Sequence, residues 1–330
     1  MHKPLLTLAA TGSLLAVWGA PAQAGNMRSW VASYGGGSTC TRSAPCATFA
    51  AAVAQTVSGG EINCVDQGDF SGGNPLTIDQ SLTIDCQGVQ ARFGIAISSF
   101  PAIIINAGAT DVVTLRGLDI DGNGVTAIGV AFSTGGALRV EECVIHDFAG
   151  TDGWGISIDS QAARAEISVS DTVLANNGAG SSGGGISVAP TVVADSITRV
   201  TLNRVEAHNN YFGIKADGTG FSATGGVINV TVRDSVASGN RSNGIVATGN
   251  ASGPAIIMMV ERSTSSQNAT AGFGIIADGP KTTIALTGSA VMGNINGIGA
   301  SNGGRLISLQ DNKVILNSVN GNPTSVASSE

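Results

Sequence analysis

The sequence predicts an all-β solenoid, a parallel β-helix of about ten coils with a short N-terminal capping helix. Three observations predict it. An asparagine recurs eight residues after an aliphatic anchor in seven of eight copies: Leu115, Val140, Val169, Leu202, Val232, Val260, Leu286 and Leu309 are followed by Asn123, Phe148, Asn177, Asn210, Asn240, Asn268, Asn294 and Asn317. Successive copies lie 23 to 33 residues apart, so the period drifts while the interior of each copy stays fixed. That is a solenoid whose loops vary around a constant core. Thirdly, a Gly-Ile pair follows the asparagine, as in Gly155-Ile156, Gly213-Ile214, Gly244-Ile245 and Gly274-Ile275. The glycine is expected to turn the chain with a positive φ and the isoleucine to open another strand.

Taken in order, residues 1–24 have the form of an export signal: His2 and Lys3, an apolar stretch over 5–20, then Ala22-Gln23-Ala24 before an expected cleavage. No later segment is apolar for the ~18 residues that a membrane span needs. Residues 25–59 are expected to form an N-terminal cap. Within it Cys40 and Cys46 flank a Ser/Thr/Pro loop, and a short helix over 45–57 places Phe49, Val53 and Val57 on one face before Ser58-Gly59-Gly60 stops it. Trp30 and Tyr34 are expected to pack near that helix. It would cover the open end of the solenoid, which otherwise invites pairing with other chains.

The coils occupy 60–317. Around Val232 the run Ile228, Val230, Val232 alternates as a half-buried strand does. Three residues past each anchor lies a small or apolar column, Leu118, Cys143, Thr172, Val205, Ser235, Ser263 and Ser289, with Asn312 as a departure. Equivalent residues of stacked coils lie about 4.8 Å apart. The asparagines are therefore expected to bond along the axis, broken once by Phe148. Cys64 and Cys86 occur in similar strand contexts 22 residues apart, close to one coil. Stacked neighbours suit a disulfide. Three pairings of the four N-terminal cysteines are open; Cys40 with Cys46 and Cys64 with Cys86 is the one chosen, leaving Cys143 as a buried thiol. Residues 318–330 are expected to be a polar tail. A left-handed hexapeptide solenoid would need a six-residue apolar repeat, and this chain has none.

Composition narrows the function. Charged residues are 12% of the chain, Gly is 47 of 330, and the net charge is −7. Such an acidic chain is a poor partner for nucleic acid or an anionic membrane.

Stacking also locates candidate chemistry. Two residues past the anchor the column runs Gly117, Glu142, Asp171, Arg204, Asp234, Arg262, Gly288, Asp311, and its alternating signs predict an outward ion-pair ladder. Arg116 over Glu141 and Arg233 over Glu261 extend it. Only Glu142 over Asp171 places like charges together, an arrangement that holds a cation such as Ca2+ or shares a proton. His146 and His208 share an outward column six past the anchor. Asp121 stacks beside His146 and Asp147 follows it, which makes His146 and Asp147 the candidate acid–base pair. Asp119-Ile120-Asp121-Gly122-Asn123-Gly124 has the look of part of a calcium loop. The longest loops, 151–154 and 178–184, mark the expected working face, where Trp154 is large enough to stack on a sugar ring.

The coil pattern over about 60–317 resembles the right-handed parallel β-helix proteins of the pectin-lyase-like superfamily. The leading segment, from Trp30-Val31 through Cys40, Pro45-Cys46 and Thr48-Phe49 to Gly60-Glu61-Ile62-Asn63-Cys64, is similar to that of exported bacterial β-helix proteins without an assigned activity. The resemblance implies the fold and leaves the reaction open. Polygalacturonase-like enzymes carry Asn-Thr-Asp, Asp-Asp, Gly-His-Gly and Arg-Ile-Lys, and none of the four occurs here. Two functions follow as expectations: a secreted, periplasmic or extracellular protein that binds, glycans included, or presents without catalysis, with a polysaccharide or cell-surface glycan as partner; and a polysaccharide lyase or glycoside hydrolase with a non-standard site on the middle coils.

Overall fold

The structure, a computed structural model, describes residues 25–150, 152–191, 194–220, 225–269 and 272–328. The expected export signal lies outside them. Short strands succeed one another around each coil and pair in parallel with the coils above and below. Among the described residues 20 strands form one bent sheet and nine form a second, so the fold is an all-β parallel β-helix.

The aliphatic anchors set the register. Leu115, Val140, Val169, Leu202, Val232, Val260 and Leu286 are successive partners across the bent sheet, all fully buried. Ile84 and Ile62 extend the column toward the N-terminus. Each buried aliphatic side chain contributes roughly 1.5–3 kcal/mol, once per coil. Leu309 does not belong to the column: Leu286 partners Ser308, and Leu306 is the buried residue of that strand. One residue is inserted before Asn312, since Val314 regains register opposite Val291.

Two left-handed corners bend each coil. Two residues past the anchor, Glu142, Asp171, Arg204, Asp234 and Arg262 have φ between 43° and 53°; seven past it, Asp147, Asn176, Asn209 and Gln267 have φ between 55° and 59°. The glycines of the Gly-Ile pairs, expected to supply the positive φ, do not have it. They are glycine for want of space. A Cβ on Gly155, Gly213, Gly244, Gly274 or Gly297 would lie 2.6 to 2.9 Å from the Nδ2 of the next coil's asparagine.

Those asparagines form the expected column. The backbone N–H of Asn177 donates to Oδ1 of Asn210, and the pattern repeats through Asn240, Asn268, Asn294 and Asn317 at 2.9 to 3.1 Å. Each Nδ2 reaches back to the preceding coil, as Asn210 does to the Leu174 carbonyl and Asn240 to that of Ala207. From Asn240 onward it also donates to the next amide oxygen at 2.9 Å. Phe148 ends the ladder, its N–H donating to Asn177 Oδ1 at 3.1 Å. Asn123 lies outside it, exposed and accepting from Arg92 at 2.8 Å.

A second polar ladder runs down the column that the sequence offered as small or apolar packing. The N–H groups of Val205, Ser235, Ser263 and Ser289 donate to the side chains of Ser235, Ser263, Ser289 and Asn312 at 2.9 to 3.1 Å. Asn312 thus continues the ladder with an amide.

At the N-terminal end the strand Asn26–Val31 pairs with Thr56–Cys64, and α1 (Phe49–Gln55) lies over them with Thr48 as N-cap. The helix is shorter than expected because the backbone is already extended at Thr56. Phe49 packs on Phe70 and Phe93, with ring centroids 5.4 and 6.3 Å away. Tyr34, expected to pack there, is 68% exposed. The disulfides are Cys40–Cys46 and Cys64–Cys86, with Cα atoms 4.7 and 4.9 Å apart, and burial pushes the free Cys143 thiol up to about 12. At the C-terminal end, Ser325–Ala327 pairs with Arg305–Leu309, so residues expected as a tail add a last strand.

Candidate functional site

The corner two residues past each anchor points its side chain outward, and the expected ion pairs form there. Arg204 grips Asp171 with two hydrogen bonds of 2.6 and 2.7 Å, and Arg262 grips Asp234 at 2.8 and 2.9 Å. Arg116 binds Glu141 and Asp85, and Arg233 binds Glu261. These exposed pairs are screened by water and add little stability, and they tie neighbouring coils in register.

Glu142 and Asp171, expected to share a cation, are each engaged by another partner. The Arg204 guanidinium holds the Asp171 carboxyl below the usual carboxylate range. Glu142 accepts from Gln87 Nε2 at 2.7 Å. It reaches two coils back because Gly117, between them in the column, has no side chain to obstruct it.

His146 stands in a denser cluster. Its Nε2 is 2.8 Å from Asp119, its Nδ1 is 2.8 Å from Asp147 and 3.9 Å from Asp121. The bond to Asp119, opposed by partial burial and reinforced by Asp147, pushes the imidazole up to about 9. The ring is therefore an imidazolium at neutral pH. Arg92 adds a second cation, 2.5 Å from Asp121. Ligand atoms of Asp121, His146 and Asp147 lie within 4.8 Å of one another, yet a metal ion there would have to displace a proton from His146 and compete with Arg92. Asp69, Arg92, Asp119, Glu142 and His146 all line one groove of about 780 Å³ on the bent sheet. His208 pairs with Ala175, two coils beyond His146, and is not part of that groove.

Trp154 lies on the other, nine-stranded sheet, so Trp154 and His146, the residues expected to bind a ligand, belong to separate surfaces. The residue before each Gly-Ile pair forms an outward column there: Trp154, Gly184 and Phe212 are successive partners, Asn243 follows through the bonds Gly213 N–H to Asn243 O and Gly244 N–H to Phe273 O, and Phe273 partners Asn296. Trp154 and Phe212 are partly exposed, their planes 8° apart and their centroids 6.3 Å apart. Near-parallel planes at that separation make an offset-stacked pair. Tyr211 meets Phe212 edge-on, and Lys215 lies 5.1 Å over the Phe212 ring. Phe212 and Phe273 went unremarked in the sequence, though the signal was present: the residue before Gly-Ile is aromatic in alternate copies from Trp154.

No family model matches the sequence, and no curated protein does. Among solved structures the chain is similar to one titled "Crystal structure of pectate lyase Pel9A", with a TM-score of 0.55 and 14% identity, covering 93% of this chain and 79% of that one. The likeness is one of fold: the chain is a parallel β-helix. Among the described residues no helix is long and apolar enough to cross a membrane.

Proposed function

We propose that this chain is an exported carbohydrate-binding protein that holds a glycan on the outer face of its nine-stranded sheet without cleaving it. The observation that carries this reading is the parallel, partly exposed Trp154–Phe212 pair, because flat aromatic rings stack on the apolar faces of sugars. Two disulfides fit an oxidising compartment, as export requires. The test is affinity electrophoresis through gels containing acidic or neutral polysaccharides, comparing the natural chain with Trp154→Ala. Retardation that disappears in the variant supports the proposal. Absence of retardation in every gel sinks it.

A second reading, a polysaccharide lyase or hydrolase, is favoured by the groove that gathers Arg92, Asp119, Glu142 and His146. A protonated imidazole flanked by carboxylates is suited to general acid catalysis. New reducing or unsaturated ends, formed with or without calcium and abolished in His146→Gln, would establish it. A clean product assay across the same polysaccharides would remove it.

A further inference from the structure

We infer that Asn302 is a site of spontaneous deamidation, where the folded chain converts its own asparagine to aspartate and isoaspartate. Six Asn-Gly pairs occur, at Asn123, Asn177, Asn243, Asn296, Asn302 and Asn320. A following glycine has no side chain to shield its backbone nitrogen, which can then attack the asparagine Cγ. The new N–C bond closes a succinimide and the side-chain nitrogen leaves as ammonia. Water opens the ring at one carbonyl or the other, giving aspartate or isoaspartate. Water is the only co-reactant, so what decides the rate at each pair is whether the fold lets the peptide turn.

Five of the six pairs are tethered. The N–H groups of Gly124, Gly178, Gly244 and Gly297 donate to the carbonyls of Asp147, Phe148, Phe273 and Val319 at 2.7 to 3.0 Å. At Asn320 the carbonyl accepts from the Ile298 N–H at 3.0 Å, and Oδ1 accepts from the Asn317 N–H at 3.1 Å. Among the described residues no group binds the Gly303 N–H or the Asn302 carbonyl. Asn123 is the matched comparison, since it and Asn302 are both exposed. Each is the second residue of a four-residue turn, closed by Gly304 N–H to Ser301 O at 2.8 Å or by Val125 N–H to Gly122 O at 3.1 Å. With φ of 51° and 86° at Asn302-Gly303, and of 49° and 74° at Asn123-Gly124, both turns are type I′. Turning the central peptide over gives type II′, which keeps the asparagine φ and swings its ψ from about 30° to about −120°. That rotation carries the glycine nitrogen to the Cβ side, within reach of Cγ. Its steric cost is common to both turns. At Asn123 it also breaks the bond to Asp147, whereas at Asn302 it breaks none. The product has a consequence for the coil. Asn302 Nδ2 donates to Asp278 Oδ1 at 2.7 Å, and Asp278 lies one coil away, the partner of Ser301. A carboxylate at 302 replaces that bond with like-charge repulsion, so conversion loosens the last coil.

Peptide mapping by mass spectrometry tests the inference on the full chain aged at mildly alkaline pH. A urea-unfolded sample is aged beside it until all six asparagines show measurable conversion, which removes sequence as the source of any difference. In the folded chain Asn302 is expected to convert about tenfold faster than Asn123, the worth of the one hydrogen bond that separates the two turns, and to yield isoaspartate as well as aspartate. Asn302→Asp, which copies one product, should melt below the natural chain. Asn123 keeping pace with Asn302, or Asn302 surviving in the folded chain while the unfolded chain loses it, overturns the site. An Asn302→Asp chain that melts with its parent overturns the loosening of the last coil.

Discussion

Replacing Asn240 by leucine removes three hydrogen bonds at the centre of the ladder while keeping the branched outline of the side chain. Asn240 is fully buried; its Oδ1 accepts from the Asn210 N–H at 3.0 Å, and its Nδ2 donates to Ala207 O at 3.1 Å and to Asn268 Oδ1 at 2.9 Å. The Asn210 N–H is orphaned in the variant. A buried donor without a partner costs about 1–3 kcal/mol, and the carbonyl, with two lone pairs, costs less. The leucine methyls also crowd Gly213, which already sits against the amide. The total is about 2–4 kcal/mol. With a urea m-value of about 3 kcal/mol/M for a chain of this size, the denaturation midpoint should fall by roughly 1 M. Asn229→Leu, at an outward-facing strand position away from the ladder, serves as control and should stay within about 0.5 kcal/mol of the parent. Equal midpoints for the two variants would refute the ladder as a source of stability.

His146 gives a pH signature. Its folded value of about 9 lies above the ordinary 6.5, so its contribution is complete below pH 6.5 and is lost as pH rises through about 9; thermal melts should fall more steeply over that range in the natural chain than in His146→Gln, and parallel curves would contradict the assignment. Leu316 sits at φ 59° and is 75% exposed. Asparagine tolerates that backbone better, so Leu316→Asn should raise stability by about 1 kcal/mol, and a lowered melting temperature would count against the strain. Removing the 22-residue Cys64–Cys86 link by double serine substitution should cost about 3 kcal/mol, while Cys143 should resist alkylation until the chain is unfolded.

The solenoid was legible because its determinants repeat: one aliphatic, one asparagine and one small residue per coil, each facing copies of itself. What escaped the sequence was set by a single local vacancy or by a diagonal. Leu309 continues the spacing in the letters, but an inserted residue shifts the strand. Glu142 was expected to meet its neighbour one coil on; the gap at Gly117 let it reach Gln87 instead. Asp119, which binds His146, is a diagonal neighbour that reading down one column misses. The aromatic column was visible as letters before each Gly-Ile pair, yet the room for the Trp154 and Phe273 rings is left by Gly184 and Gly299 one coil further on. Glycine was read for its conformational freedom when its lack of a side chain was the relevant property.

Phe148 divides the molecule mechanically. The largest fully buried side chains include Phe49, Phe70, Phe93, Phe132 and Phe148, all on the N-terminal side of the ladder, where the helix and both disulfides also lie. Beyond Phe148 the polar spine of asparagines is continuous down to Asn317. Hydrogen bonds between coils yield one at a time, whereas an interlocked aromatic core yields as a block. Pulled from its C-terminus, the chain should unravel in steps of one coil, about 23 to 33 residues each, and stall at Phe148 before a single larger rupture. The molecule is thus a zipper mounted on an anchor, and a force trace without that stall would show the division to be cosmetic.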